Sequence, residues 1–210
     1  MAVESGDATD EMLMVRYQRG DRRAFAELVQ RHSRAVYNFV LRQVRDPSAA
    51  EDVTQEVFLR VVQNAAEFKH EARFSTWLYT IGRNLCIDHL RRLAHRRHAS
   101  LDGPSPGTPA LASTKERTLG DAIPDLHPRA SAERRAANNQ VLDTILRAVD
   151  LLPDDQRETF LLREVACLPF REIASITGAS ENTVKSRMRY ALERLRDALS
   201  DFEEYARALR

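Results

Sequence analysis

The sequence predicts an all-α protein made of two small helical domains joined by a flexible linker, and three observations carry that reading. Apolar residues recur every three or four positions on both sides of the chain's middle, the period of a helix with one buried face. Glycine is scarce, seven in 210 residues, and aromatic residues make up only 7%, which favours helices over turn-rich sheets. Residues 98–130 lose the helical period and gather Pro104, Pro106, Pro109, Pro124 and Pro128 with Ser, Thr and Gly, a composition that cannot bury much apolar area. The expected organisation is a disordered N-terminus over 1–9, a first domain over 10–97, the linker over 98–130, a second domain over 131–200 and a tail over 201–210.

In the first domain, Asp10 is expected to cap a short helix carrying Met12, Leu13 and Tyr17, which Gly20 ends before Asp21 opens the next. That longer helix keeps Phe25, Leu28, Val29, Val36, Phe39 and Val40 in period until Asp46-Pro47 stops it, because a residue before proline avoids the α region. Ser48 and Glu51 have the spacing of a capping box for a third helix with Val53, Val57, Phe58 and Val61 inward. A fourth helix of about 20 residues, roughly 30 Å, is expected from a Ser75 or Thr76 cap, burying Leu78, Ile81, Leu85 and Cys86.

The second domain reads as four helices. Val141, Leu142, Ile145, Leu146 and Val149 form one amphipathic face. Pro153 suits the first turn of the next helix, which carries Phe160, Leu161 and Val165. Phe170, Ile173, Ala174 and Ile176 lead into Thr177-Gly178-Ala179, where a sharp turn requires glycine's freedom at positive φ. Ser180 then caps a last helix whose Val184, Met188, Ala191, Leu192, Leu195 and Leu199 are expected to be buried.

Charge separates the surfaces. The formal net charge is only +1, so any affinity for nucleic acid must come from local concentration. From Asp46 to Leu59 there are four acids and no Lys or Arg; this surface repels DNA and suits a basic protein partner. A helix's preference for acids in its first turn accounts equally for Glu51 and Asp52, but less well for Glu56. From Arg83 to His98 five arginines face one acid, Asp88, and Phe68, Phe74, Trp77 and Tyr79 lie close by. Aromatic faces beside an arginine track hold unpaired nucleotides, although Phe74 and Trp77 would serve equally to close the core. On the last helix Asn182, Thr183, Ser186, Arg189 and Tyr190 share the exposed side with Lys185 and Arg187 on its flanks, a set suited to a DNA major groove.

Other classes find no support. No nucleotide-binding, metalloprotease or nucleophile motif occurs, and the six histidines lack metal spacing, so no enzyme, cofactor or metal is expected. Cys86 and Cys167 stand alone in apolar surroundings and are expected to be buried thiols in a reducing compartment. No stretch reaches the roughly 20 apolar residues that span a bilayer, and the start is no signal peptide, so a cytoplasmic protein without membrane insertion is expected.

The run EIASITGASENTVKSRMRYALERLRDAL resembles region 4.2 of bacterial sigma factors, specifically the extracytoplasmic-function (ECF) group with its pattern EIA, G.S.NTVKSR, A and L. The likeness extends upstream through LPDDQRETFLLREV and reappears near the N-terminus in EDVTQEVFLRV and FSTWLYTIGRNLCIDHLRR, in the family's order. The resemblance implies a sigma factor that binds core RNA polymerase (β′ clamp helices and β subunit), recognises the −35 and −10 promoter elements and helps open the DNA. It assigns polymerase binding to Glu51, Asp52, Gln55, Glu56 and Leu59. It assigns the −10 element to loop residues Lys69, His70, Glu71 and Arg73, to Phe74, Trp77 and Tyr79, and to helix residues Asn84, Asp88, Arg91 and Arg92. For the −35 element the candidates are Arg171, Asn182, Thr183, Lys185, Ser186, Arg187 and Arg189. It also implies an anti-sigma factor as partner, with the mixed-charge tail SDFEEYARALR a candidate contact, and a linker path along the polymerase cleft, though this linker is long for the family. The alternative is a stand-alone helix-turn-helix regulator with an N-terminal interaction bundle, which would require neither the acidic surface nor the aromatic and basic track.

Overall fold

The computed structural model describes residues 8–69, 73–101 and 132–200, with the side chains of 97–101 and 132–140 excepted. His70 and Glu71, the linker from 102 to 131 and the tail from 201 to 210 therefore lie outside the described residues, as do the first seven.

Eight α-helices and one short 3₁₀ turn, Ala65–Glu67, make up the regular structure of the described residues: α1 Asp10–Gln18, α2 Arg22–Val44, α3 Pro47–Gln63, α4 Phe74–Leu101, α5 Ala132–Asp150, α6 Asp154–Glu164, α7 Phe170–Thr177 and α8 Glu181–Ala198. The first four form one bundle around Leu13, Met14, Leu28, Phe39, Val40, Val57, Val61, Phe74 and Leu78, all fully buried. The last four enclose Leu161, Leu162, Leu168, Ile173, Val184 and Ala191. α4 continues to Leu101, so its last turn falls within the stretch read as linker.

Helix starts depart from the local expectation at three places. Thr9, not Asp10, caps α1, its Oγ1 accepting from the Met12 amide at 3.3 Å. Asp10 turns instead to α2, taking a hydrogen bond from Arg31 at 2.9 Å and pairing with His32 Nε2 at 2.6 Å. Asp46 caps α3 by accepting from the Ala49 amide at 2.7 Å, with Pro47 at the first helical position. Proline's fixed φ and missing N–H suit that position, so the helix starts ahead of Ser48 and the capping box is not formed. α4 is capped neither by Ser75 nor by Thr76: the Phe74 amide donates to Glu11 Oε1 at 2.9 Å, across 63 positions of sequence. Asp21 and Ser180 cap α2 and α8 as expected.

Two buried-side expectations are corrected. Leu192 is half exposed because the stripe of Val184, Met188, Ala191 and Leu195 already fills the seam of α8. Cys167 is exposed, at φ 53° in the turn between α6 and α7, while its neighbour Leu168 fills the core.

The two bundles touch along α4 against α7 and α2 against α6. Arg42 Nη1 meets Asp150 at 2.6 Å and Arg45 donates to the Asp150 carbonyl at 2.8 Å. Arg83 Nε pairs with Glu158 at 2.8 Å. Glu172 takes two partners, Arg73 Nε at 3.1 Å and the Thr76 hydroxyl.

Candidate nucleic-acid interface

Three helix faces meet the conditions for recognition: exposed, rich in polar and charged side chains and backed by a packed core. On α3, Val53, Val57 and Val61 turn inward, and the opposite side presents Glu51, Asp52, Gln55 and Leu59 in the open with Glu56 partly exposed. Glu56 is held by Arg60 at 2.7 Å, one turn on. Leu59 is 53% exposed and Val62 39%, so an apolar patch lies beside the acids. All five residues assigned to polymerase thus share one side of α3, at spacings of one, three, one and three.

The second face lies on α4. Asn84, Asp88, Arg91 and Arg92 are exposed at helical spacing, and Arg92 Nε donates to the Asp88 carbonyl at 3.2 Å. Asp52, Glu56 and Arg60 of α3 line one groove together with Asp88, Arg91, Arg92 and Arg96 of α4, so the α3 wall is acidic on balance and the α4 wall basic on balance. Lys69 and Arg73 are exposed, the latter already paired with Glu172.

The aromatic residues divide. Phe74 and Tyr79, expected to touch nucleic acid, are core residues: Phe74 is fully buried against Phe68 and His32, and Tyr79 lies edge-on to Phe39 with ring centroids 5.4 Å apart. Burial pushes the Tyr79 hydroxyl above the ordinary phenol range, and Cys167 of the second bundle adds to the effect. Trp77 keeps part of its surface while its ring leans on Phe68 at 5.3 Å. Tyr79 and Trp77 sit two positions apart on one helix, so both cannot face the core equally.

The third face is the outer side of α8. Gly178, at φ 70°, ends α7, and the Ser180 hydroxyl accepts from the Thr183 amide at 3.1 Å to start α8. With Val184 and Met188 buried, Asn182, Thr183, Lys185, Ser186 and Arg189 are exposed. Lys185 pairs with Glu181 at 2.6 Å. The Arg189 guanidinium lies 4.8 Å from the Tyr190 ring centroid. Arg187 is drawn back to Asp155 of α6 at 3.0 Å and is only partly exposed, whereas Arg171 at the start of α7 is open to solvent.

Sequence reasoning missed the residues that support these faces. Gln18 Nε2 donates to the carbonyls of Ala65 at 2.7 Å and Phe68 at 3.0 Å, tying the loop that leads to Lys69 onto α1. No local signal marks it, because the partners lie 47 and 50 positions away. Among the described residues no group of three or more His, Cys, Asp or Glu could hold a metal ion, and no helix is long and apolar enough to cross a membrane.

Two helical bundles, the second ending in a helix-turn-helix, with one acidic and two basic faces on separate helices, define a nucleic-acid-binding protein that also docks on protein. Comparison with known proteins gives the particular family. Residues 28–96 match the family model "Sigma-70 region 2" and residues 142–195 match "Sigma-70, region 4". The RNA polymerase sigma-H factor of Pseudomonas aeruginosa is 32% identical over 191 residues, covering 90% of this chain and 93% of that protein. The ECF RNA polymerase sigma-E factor of Escherichia coli is 31% identical over 190 residues, with the same coverage. Among solved structures, the sigma factor RpoE in complex with the anti-sigma factor NepR from Bartonella quintana shares the fold, with a TM-score of 0.62 and 22% identity over 84% of this chain and 96% of that one. The chain belongs to the extracytoplasmic-function family of RNA polymerase sigma factors: it joins core polymerase to promoter DNA and initiates transcription.

Proposed function

We propose that the three faces divide the work of this sigma factor. The side of α3 bearing Glu51, Asp52, Gln55, Glu56 and Leu59 docks on the β′ clamp helices, its acids steering a basic partner and Leu59 supplying apolar contact. Asn84, Asp88, Arg91 and Arg92 on α4, with Trp77 at its start and Lys69 and Arg73 in the loop before it, take the −10 element and its opened strand. The first two turns of α8, from Asn182 to Arg189, enter the major groove at the −35 element, and Arg171 holds phosphate beside it.

One observation carries this reading: apart from the buried Phe74 and Tyr79 and the drawn-back Arg187, the described residues chosen for three different partners lie on or beside exposed faces of three different helices. On this reading the protein works in the cytoplasm by binding, and catalysis of RNA synthesis belongs to the polymerase. Its likeness to a sigma factor solved with an anti-sigma factor supports a protein inhibitor as a further partner.

The test is promoter-specific transcription with purified core polymerase. The E51R/D52R variant is expected to bind core about tenfold more weakly or worse, a change of roughly 1.4 kcal/mol, while its isolated binding to −35 duplex is unchanged. Unaltered core affinity removes α3 as the docking face.

A further inference from the structure

α1 reaches the −10 face at two points. On one side of this helix Glu11 and Gln18 stand seven positions apart, two turns and about 10 Å along the axis. Glu11 Oε1 accepts from the Phe74 amide at 2.9 Å, and Gln18 Nε2 donates to the Phe68 carbonyl at 3.0 Å and to the Ala65 carbonyl at 2.7 Å. The helix that supplies these groups is itself held fast. Leu13 and Met14 are fully buried, Asp10 is bound by Arg31 and His32 of α2, and Arg31 also donates to the Ala8 carbonyl at 2.8 Å.

What α1 holds is the floor under Trp77. The indole leans on the Phe68 ring at 5.3 Å and on the Phe74 ring at 6.2 Å, and part of its surface stays open. The Phe74 amide opens α4 and so has no partner within that helix, and the backbone bond that closes the first turn runs from the Trp77 amide to the Arg73 carbonyl at 3.2 Å. A buried N–H that loses its acceptor is costly enough to fray such a turn. Fraying moves Trp77 with it.

We infer that Glu11 and Gln18 are positioning residues for capture of the opened −10 strand: from one side of α1 they fix the backbone at Phe74 and Phe68, and through those two rings they fix the face of Trp77 on which a base stacks. Both act through the indole and not on the strand itself. The inference rests on the assignment of Trp77 to that strand.

The test compares holoenzymes formed from core polymerase and the parent, Q18A, Q18E, E11A or E11Q chain. The probe is a short fluorescent single strand selected by the parent holoenzyme from a randomised pool. Gln18 lies at the surface, so its replacement leaves the packed side of α1 intact. Q18A, E11A and Q18E, the last setting a carboxylate against two carbonyls, are expected to bind the strand about three- to tenfold more weakly, the scale of one lost hydrogen bond, with binding to −35 duplex unchanged. E11Q keeps an acceptor oxygen and is expected to stay close to the parent. In the free chain the emission of Trp77, its only tryptophan, is expected to be quenched more readily by acrylamide in Q18A and E11A than in the parent or E11Q. Lowered melting temperatures with parent-like strand affinity make both residues structural only and overturn the inference. Unchanged quenching does the same. E11Q falling as far as E11A overturns the part given to Glu11. W77A separates this inference from the reading beneath it. If W77A binds the strand like the parent, the assignment of Trp77 fails and the inference with it, while quenching still reports whether α1 fixes the indole. If W77A alone weakens binding, only the positioning fails.

Discussion

Asp10 shows how a single side chain near the start of the chain ties helices together. Its carboxyl is held below the ordinary value of 3.8, first by the hydrogen bond from His32, against an opposing effect of burial, and further by the charges of His32 and Arg31. Because the folded form binds this proton less readily than the unfolded chain, the stabilisation is complete above the unfolded value and is lost as pH falls through the lower, folded one. Asp10→Asn is expected to cost about 1 kcal/mol at pH 7, a modest figure because solvent screens the pair. In urea titrations across pH 7 to 2 the gap between parent and variant should close below about pH 4. A gap that persists to pH 2 would show that packing, not charge, is what the substitution removes. The cysteines contrast in the same way. Burial, with Glu158 nearby, pushes the Cys86 thiol up to about 12, whereas Cys167 is exposed. Iodoacetamide at pH 8, followed by peptide mass spectrometry, should label Cys167 in the native protein and Cys86 only after denaturation.

At the scale of the element, helices were legible, but the starts of α1, α3 and α4 were not, whereas those of α2 and α8 were. The apolar period placed the helical segments because it depends only on which side of each helix is buried. Caps are settled by whichever acceptor arrives first in space, so Thr9 displaced Asp10, Asp46 with Pro47 pre-empted Ser48, and Glu11 reached α4 from another helix. The turn between α7 and α8 was readable because its demands are local. Gly178 needs a left-handed φ of 70°, and no atom lies within 4 Å of where a Cβ would be. Gly178→Ala should therefore cost only the conformational penalty, about 1–2 kcal/mol. Ser180→Ala should cost about 1 kcal/mol through the lost cap. Both losses should appear in thermal melts. A much larger loss for the glycine variant would mean a clash that the structure does not contain.

For the whole molecule, surface charge was the most transparent feature, since an exposed side chain keeps the chemistry that its letter announces. Arg91, Arg92 and Arg189 are open, as expected, while Phe74 and Tyr79 went to the core because a large ring gains more from burial than from waiting on a ligand. The contact between the two bundles was not legible at all: Arg83 and Glu158 are 75 positions apart, Arg42 and Asp150 108. The third face yields a prediction for DNA binding. Lys185→Ala should reduce the salt slope of −35 duplex binding by about one unit with sequence preference intact, and Arg189→Ala should weaken the specific site by about 1–3 kcal/mol. Titrations over a salt series decide it, and two variants indistinguishable from the parent would remove α8 as the groove reader.

Leu59 and Val62 stand bare beside Glu51, Asp52 and Glu56. An oily spot of that kind invites copies of one molecule to stick together, yet here any two copies approaching through it would bring like charges face to face. Pairing of two copies patch to patch is thereby disfavoured by the same residues that suit a cationic partner, so protection of the bare spot and choice of companion have a common origin.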